Sequence, residues 1–308
     1  MFGILQDETY RRHRTGAHPE RAERLDAIEE GLAAADDLDL TPLQPVASDL
    51  DTIALVHDRD YIDHVKDRVE QGYGSMDADT VLSPDSFDTA LRAVGGGVAG
   101  VDAIMRGELD QAFFAVRPPG HHAERARAMG FCLFNNVAIA AAHLIARHDL
   151  GKVAIYDFDV HHGNGSMHSF YEDPAVFYGS VHQWPHYPGT GLAHETGRGA
   201  GAGTTLNFPH PSGAGDEEYE EATSRFADAM DAFKPDFLLV SAGFDAHWSD
   251  QLSGHQVTEE GYEQMAIILA GVANAHCGGK LAFFLEGGYN LNALKTCVPA
   301  VVRAVVSG

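Results

Sequence analysis

The chain has 308 residues and a hydrophobic content of 44%, which is enough for a buried core in one large domain. Its formal net charge of −24 argues against a nucleic-acid-binding protein, because such a protein needs a basic surface. No apolar run approaches the roughly 18 residues of a membrane span, and the three cysteines have neither disulfide nor metal-site spacing.

Apolar runs of strand length alternate with helical patterns along the chain. We predict strands at 2–5, 111–116, 152–157, 176–181, 204–208, 236–241 and 280–285. We predict helices at 18–34, 84–106, 135–148, 216–233, 259–276 and 291–306. Ser83 before Pro84 predicts one helix N-cap, and Thr258 before two glutamates predicts another.

The alternation of strands and helices predicts an α/β fold with a mostly parallel sheet. The strands "FLLV" and "LAFF" are apolar on both faces, as expected of a sheet covered by helices on both sides. No linker, repeat or low-complexity stretch divides the chain, so we predict one domain over residues 1–308. Its first residues have no signal-peptide core, which predicts a cytoplasmic protein.

Ligands of such sheets bind at the carboxyl ends of the strands. Polar and glycine-rich loops follow five of the predicted strands, at 117–130, 157–166, 182–203, 242–256 and 286–290. The loop at 182–203 is too long for a simple connection, which indicates the rim of a site.

The stretch "YDFDVHHGNG" follows one of these strands and contains a candidate metal site. Residues two apart share a face of an extended segment, so Asp159 and His161 can bind one ion together. Asp245 in "SAGFDAH" ends another apolar strand and is the best third ligand. Two carboxylates and one imidazole leave a position open, as in catalytic zinc sites. A salt-bridged strand end is the alternative interpretation.

The loop "RPPGHHA" contains two candidate bases, His121 and His122. Asp157 faces the same site and could raise the pKa of one imidazole, whereas Asn164 could bond the other without adding charge. Tyr289 in "LEGGYN" follows two glycines that permit a tight turn, and its hydroxyl could donate to a developing oxyanion.

Six stretches taken together resemble the zinc-dependent histone deacetylase family, which includes bacterial acetylpolyamine amidohydrolases. They are "GAHPERAERL", "RPPGHHA…MGFCLFNN", "YDFDVHHGNG", "YPGTG", "SAGFDAH" and "LEGGYN", and they span residues 10 to 300 or so. The resemblance implies an arginase-like α/β fold and Zn²⁺ on Asp159, His161 and Asp245. Asn164 stands where class I members carry aspartate, which is more like the class II and bacterial branch.

The resemblance also implies the roles of the other site residues. His121, backed by Asp157, and His122 would form the general acid/base pair, and Tyr289 would polarise the scissile carbonyl. The substrate channel would be lined by residues from several loops, namely Asp79, Gly130, Phe131, His186, Tyr187 and Leu252. Structural K⁺ or Na⁺ ions are expected on the carbonyl groups of Asp157, Asp159, His161, Ser180 and Val181.

The leading hypothesis is hydrolysis of an N-acylated amine, of the acyl-lysine type, by metal-activated water. An acetylpolyamine or another small amide is the alternative substrate: Leu252 at the rim favours acyl-lysine, whereas Asp250 and the net charge favour a polyamine. Two further alternatives are a non-catalytic acyl-lysine-binding module and a binuclear manganese ureohydrolase, for which His247 stands in place of a second aspartate. The sequence leaves open Zn²⁺ or Fe²⁺, a homo-oligomer, and the natural substrate of what we expect to be a bacterial chain.

Overall fold

The computed structural model describes residues 1–307, and its centre is an eight-stranded sheet. The strands in chain order are β1 Phe2–Leu5, β2 Leu40–Leu43, β5 Gln111–Phe114, β6 Val153–Asp157, β7 Val176–Gln183, β8 Thr205–His210, β9 Phe237–Ala242 and β10 Leu281–Leu285. Their spatial order is β2-β1-β5-β10-β9-β6-β7-β8, and all the pairs are parallel. A separate antiparallel pair joins β3 Gly74–Ser75 to β4 Val81–Leu82.

Nine helices accompany the strands within residues 1–307. They are α1 Glu23–Ala33, α2 Leu50–Ile53, α3 Arg59–Glu70, α4 Ser86–Met105, α5 Asn136–His148, α6 Asn164–Phe170, α7 Asp216–Phe233, α8 Glu259–His276 and α9 Leu291–Ser307. Helices α1, α9, α8 and α7 pack in a row, and α4 packs on α5 in a second group. Both groups contact the sheet, so the central strands β6, β9 and β10 are buried along their whole length.

The predicted α/β fold is confirmed, and the strands and long helices lie within a few residues of their predicted positions. The helix predicted from residue 18 begins at Glu23, because the preceding segment is a turn in which Glu20 points to Arg117. The N-cap prediction at Ser83 is wrong: Asp85 occupies the N-cap position of α4, without a side-chain capping bond, and the Ser83 amide donates to Ser86 Oγ. Thr258 caps α8 as predicted, since its side chain accepts from Gly261 N.

Five elements of the first half, β2, α2, α3, β3 and β4, were not predicted, and neither was the short helix α6. The sequence of β2, "LTPL", is only partly buried and contains proline, so it lacks the apolar signature of the central strands. Within residues 1–307 there is no helix that is both long and apolar enough to cross a membrane.

Candidate active site

The site lies where the neighbouring strands β5, β10, β9 and β6 end at the same edge of the sheet. The register places Asp157, the last residue of β6, beside Ser241 of β9 and Ser180 of β7. The loops that follow β5, β6, β9 and β10 therefore meet, as expected at the carboxyl ends of parallel strands. These loops carry most of the residues that the sequence indicates as functional.

Three candidate metal ligands converge beneath these loops. His161 Nδ1 lies 3.1 Å from Asp159 Oδ1 and 3.1 Å from Asp245 Oδ2. Asp159 and Asp245 are fully buried, and His161 is nearly so. Burial opposes a charge on His161, but hydrogen bonds and Coulombic attraction from the two carboxylates outweigh it and raise the pKa of the imidazole to about 10.

Backbone groups orient both carboxylates. Asp159 Oδ2 accepts from Gly287 N at 2.7 Å, and Asp245 Oδ1 accepts from Val160 N at 3.0 Å. A β-carbon on Gly287 would lie 2.1 Å from Asp245 Oδ2, and one on Gly243 would lie 2.1 Å from Asp159 Oδ2. Glycine is thus required where the two loops approach the carboxylates. Two buried acids around one imidazole, with backbone donors behind them, suit a divalent cation such as Zn²⁺ or Fe²⁺.

The adjacent histidines have different partners and opposite charge preferences. His121 Nδ1 donates to Asp157 Oδ2 at 3.0 Å. Burial opposes a charge on His121, yet the attraction of Asp157 and Asp159 outweighs it and raises the pKa of this imidazole to about 10. His122 Nδ1 lies 2.8 Å from Asn164 Oδ1. Burial, together with the charges of His121 and His161, holds the pKa of His122 well below its usual value.

Tyr289 stands on the loop after β10, and Asp250 holds that loop. Asp250 Oδ2 accepts from Tyr289 N at 2.6 Å and from Asn290 N at 2.9 Å. Gly288 adopts a φ of 110°, which favours glycine at this turn. Burial and the nearby Asp245 carboxylate raise the pKa of Tyr289 well above its usual value, so the phenol keeps its proton at neutral pH.

A cavity of about 230 Å³ leads to these groups. It is lined by Asp79, Pro119, His121, His122, Gly130, Phe131, His161, His186, Tyr187, Leu252, Gly287 and Tyr289. Phe131 packs edge-on against Tyr289, with ring centroids 5.9 Å apart, and Tyr187 packs edge-on against His122 at 5.1 Å. A β-carbon on Gly130 would lie 2.3 Å from His122 Cδ2, so a larger residue would collide with the His122 imidazole.

A sequence model described as "Histone deacetylase domain" matches residues 18–305 of the chain. This chain belongs to the histone deacetylase family. As the names of its relatives indicate, it is a hydrolase of the deacetylase and amidohydrolase type.

Two relatives and one solved structure illustrate the breadth of the family. "Probable deacetylase" of Archaeoglobus fulgidus is 38% identical over 100% of this chain and 87% of its own length. "Histone deacetylase-like amidohydrolase" of Pseudomonas aeruginosa is 36% identical over 84% of this chain and 68% of its own length. The "Crystal Structure of HDA15 HD domain" superposes with a TM-score of 0.92 at 36% identity, covering 99% of this chain and 91% of that chain.

The residues predicted as metal ligands, as catalytic groups or as channel lining lie in or directly behind the cavity of this histone deacetylase family member. Asp157, Asn164, Asp159 and Asp245 lie behind its lining, and the others line it. His186, predicted at the rim, stacks on His161 with ring centroids 4.9 Å apart and bonds the Leu252 carbonyl. Asp157, the last residue of β6, contacts His121, the imidazole that the resemblance pairs with it.

The expectation that Asp250 favours a polyamine substrate is wrong, because its carboxylate does not lie at the mouth of the cavity. It is 7% exposed and does not line the cavity. All three of its contacts are backbone amides: those of Tyr289 and Asn290, and that of Leu252, which donates to Oδ1 at 2.9 Å. Its charge is thus used inside the protein, to hold the loop that carries Tyr289.

Sequence reasoning missed Glu286, which connects two loops of the site. Glu286 Oε2 accepts from Gly120 N at 2.6 Å and from His121 N at 3.1 Å, and Oε1 accepts from Ser241 Oγ at 3.2 Å. Burial raises the pKa of this carboxyl to about 7. A glutamate at the end of the wholly apolar strand "LAFFL" was the available signal, because a buried acid needs partners.

A buried ion network behind the loops was also missed. Arg117 Nη2 donates to Glu20 Oε2 at 2.7 Å, and all the atoms of both side chains are inaccessible to solvent. Arg24 also pairs with Glu20 and donates to the carbonyl groups of Glu286 and Gly288. The stretch "GAHPERAERL" thus supports both the loop of the histidine pair and the loop of Tyr289.

Proposed function

We propose that this histone deacetylase family member hydrolyses N-acylated amines of the acyl-lysine type with a zinc-class metal ion. The observation that carries the proposal is the meeting of three sets of groups at the inner end of one cavity: the three buried donors, the histidine pair and Tyr289. Each set alone has a structural explanation, but amide hydrolysis needs all three together.

Asp159, His161 and Asp245 would hold the metal ion. Their donor atoms lie within 4.8 Å of one another, and their two negative charges offset those of a divalent ion. A bound ion would polarise the amide carbonyl and lower the pKa of the attacking water. Zn²⁺ and Fe²⁺ both suit this donor set, and metal analysis of the protein from its native cells would distinguish them.

His122 is the proposed general base. The amide oxygen of Asn164 accepts a hydrogen bond from Nδ1, which leaves Nε2 unprotonated. Because its pKa is held well below the usual value, the imidazole is neutral at physiological pH and can take a proton from water. His121, which is charged beside Asp157, then supports protonation of the leaving amine.

Tyr289 is the proposed electrophilic donor. Its hydroxyl stays protonated and can donate to the negative charge that develops on the carbonyl oxygen. Phe131 and Arg24 fix its ring from two directions, the guanidinium carbon lying 5.1 Å from the ring centroid. A donor held in place before the reaction needs no reorganisation during it.

The apolar character of Phe131, Tyr187 and Leu252 suits the methylene chain of a lysine. Asp79 also lines the cavity and is half-buried, so it could accept from the backbone amides of a peptide. The same carboxylate, with the net charge of −24, favours the second candidate, an acetylpolyamine. A cytoplasmic location, bound K⁺ or Na⁺, and a homo-oligomer stay predictions.

The decisive experiment is deacylation by the zinc-loaded protein across matched substrates: acetyl-lysine peptides, N-acetylputrescine, N-acetylspermidine and a longer-acyl lysine. We expect turnover of acetyl-lysine peptides that a hydroxamate inhibits. Retention of the wild-type rate by both His122→Ala and Tyr289→Phe would contradict the assigned roles. Tight binding of acetyl-lysine without turnover would instead support a non-catalytic binding module. Two ions per chain at Asp159, His161 and Asp245, which we call the catalytic cluster, would support a binuclear site.

A further inference from the structure

A second group of potential metal ligands lies behind the loop that carries Asp245. It consists of His247 in that loop, Glu259 at the start of α8 and Cys297 in α9. His247 and Cys297 are buried, with 2% and 0% of their surface exposed, whereas 40% of the Glu259 side chain is exposed. One donor atom of each residue lies within 4.8 Å of the other two.

The imidazole of His247 is poorly satisfied as the structure stands. Its Nδ1 accepts from Ser249 N at 3.2 Å and lies 2.8 Å from Ser249 Oγ, but its buried Nε2 has no hydrogen-bond partner within residues 1–307. Nε2 lies 3.4 Å from Glu259 Oε2, within ion-pair distance if the imidazole is charged, but without the alignment of a hydrogen bond. A buried polar atom without a hydrogen-bond partner destabilises a fold, and a bound ion would supply a partner for Nε2.

We propose that His247, Glu259 and Cys297 form a second binding site for a zinc-class divalent cation, separate from the catalytic cluster.

The donor set has the chemistry of such a site. Thiolate, imidazole and carboxylate together are typical ligands of Zn²⁺ and Co²⁺. When Nε2 binds an ion, Nδ1 carries the proton, and Ser249 Oγ can accept it in place of the bond that Ser249 N donates to Nδ1 in this structure. Thr296 Oγ1 donates to Glu259 Oε1 at 3.1 Å and leaves Oε2 directed at His247. The exposed part of Glu259 provides a way in from solvent.

Binding releases one proton. Burial and the nearby Glu259 raise the pKa of the Cys297 thiol to about 12, so without metal the sulfur carries hydrogen at neutral pH. When the ion binds, a metal–sulfur bond replaces the S–H bond and the proton leaves to solvent. The thiolate and the carboxylate then balance the two positive charges of the ion.

The ion would tie the catalytic loop to α8 and α9. His247 is two residues from Asp245, and the same loop continues through Asp250, which holds Tyr289, to Leu252 of the cavity. Without metal, the backbone bonds of this loop to Val257 and the contact of His247 with Glu259 attach it near α8. Occupancy of the second site is therefore expected to stiffen the segment that supplies a catalytic ligand and a cavity wall.

A third cluster, Asp102, His143 and His148, is less suited to metal binding. The Nε2 atoms of both imidazoles already bond Asp102 Oδ1, at 2.8 and 2.6 Å. Nδ1 of His143 is buried and has no partner within residues 1–307, so it could not donate a proton if Nε2 bound an ion. A hydrogen-bonded bridge between α4 and α5 explains this cluster without a ligand.

Cobalt titration tests the proposal on the full chain, because Co²⁺ bound to thiolate absorbs in the near ultraviolet and the catalytic cluster contains no sulfur. We expect two Co²⁺ per chain, with thiolate-to-cobalt absorption appearing for one of them. Cys297→Ser should bind one ion and lose the band. Cys277→Ser, which alters another buried free cysteine, should keep both ions and the band.

Glu259→Gln is a milder variant at a partly exposed position, and it covers the case in which Cys297→Ser fails to fold. It should weaken the thiolate-bearing site by at least about tenfold and leave the other ion unchanged. A titration of the wild-type protein that ends without a thiolate band would overturn the proposal, as would a band that persists in Cys297→Ser.

Discussion

The buried groups at and behind the inner end of the cavity, which we call the floor, differ in burial and bonding from the side chains at its mouth, which we call the rim. At the floor, Asp157, Asp159 and Asp245 are 0% exposed, and each makes several hydrogen bonds to fixed partners. At the rim, Tyr187 is 38% exposed and Asp79 is half-buried, and both stand on loops. The floor is therefore specified by the fold, whereas rim residues can change with little effect on the rest of the protein. We expect the floor to decide the reaction and the rim to decide the substrate.

The largest effect is expected from Asp245→Asn at the floor. The amide removes one of two negative charges around the candidate ion, and metal affinity should fall by more than about 100-fold, with deacylation lost. Metal content after dialysis and the rate on an acetyl-lysine peptide measure this. Asp228→Asn, at an exposed position of α7, is the matched control and should change neither. Full metal content and activity in Asp245→Asn would remove this residue from the site.

The support of the floor is tested by Glu20→Gln. The substitution leaves Arg117 buried without its carboxylate, which should lower the free energy of unfolding by about 3–5 kcal/mol at neutral pH. Glu29→Gln breaks an exposed pair with Arg11 and should change it by less than about 1 kcal/mol. Urea unfolding of both variants measures the difference, and equal effects would show that burial of the Glu20 pair adds nothing.

The Glu20 effect has a defined pH dependence. Burial opposes the charged form, but Arg117 outweighs it and lowers the pKa of Glu20 from 4.5 to about 2 in the folded protein. The folded-state pKa lies below the unfolded one, so the pair stabilises the fold above pH 4.5 and this contribution is lost as the pH falls toward 2. The gap between the wild-type protein and Glu20→Gln should therefore narrow between pH 4.5 and the acid limit of the fold.

Two tyrosines that line the same cavity allow a direct test of floor against rim. Tyr289→Phe should lower kcat by about 10²- to 10³-fold with little change in KM, because the proposed role of its hydroxyl is to donate to charge that develops during the reaction. Tyr187→Phe keeps the aromatic wall and should lower kcat/KM by less than about tenfold. Steady-state kinetics on one acetyl-lysine peptide measures both. A larger loss in Tyr187→Phe would place the electrophilic donor at the rim.

The smallest effect is expected from a new charge at the rim. Leu252→Asp should raise the kcat/KM ratio of N-acetylspermidine to an acetyl-lysine peptide by about two- to fivefold, the size of one solvated ion pair. Leu252→Asn has the same shape without the charge and should leave the ratio near the wild-type value. Added salt should reduce the gain, because the interaction is screened. An unchanged ratio in Leu252→Asp would show that this position does not face the substrate amine.

The central part of the fold was predictable because buried strands and amphipathic helices have clear patterns. Strands β6, β9 and β10 are apolar on both faces, and α7 and α8 have the predicted bounds. The first half was less clear: β2 contains a proline and is only partly buried, and α2 has four residues. Short, half-exposed elements are held by tertiary contacts, which a local pattern does not report.

The amino-acid sequence by itself determined which residues are candidates for the chemistry. The order of aspartate, histidine and tyrosine motifs at strand ends predicts a metal site, a histidine acid/base pair and an oxyanion donor, because ligands of parallel sheets bind at that edge. The same stretches contain glycine at positions 243 and 287, where a side chain would collide with Asp159 or Asp245.

Only the tertiary structure decided which partners the buried charged groups have. Glu286 accepts from the backbone of His121, 165 residues away, and Arg117 pairs with Glu20. Asp250, which the sequence suggests is a surface acid, points inward and accepts from the backbone of Tyr289. It also brought His247, Glu259 and Cys297 together from three elements. The pairing of a polar group depends on distances in space, and burial makes that pairing obligatory. Neither the distance between two groups in space nor their burial can be obtained from the spacing of residues along the chain.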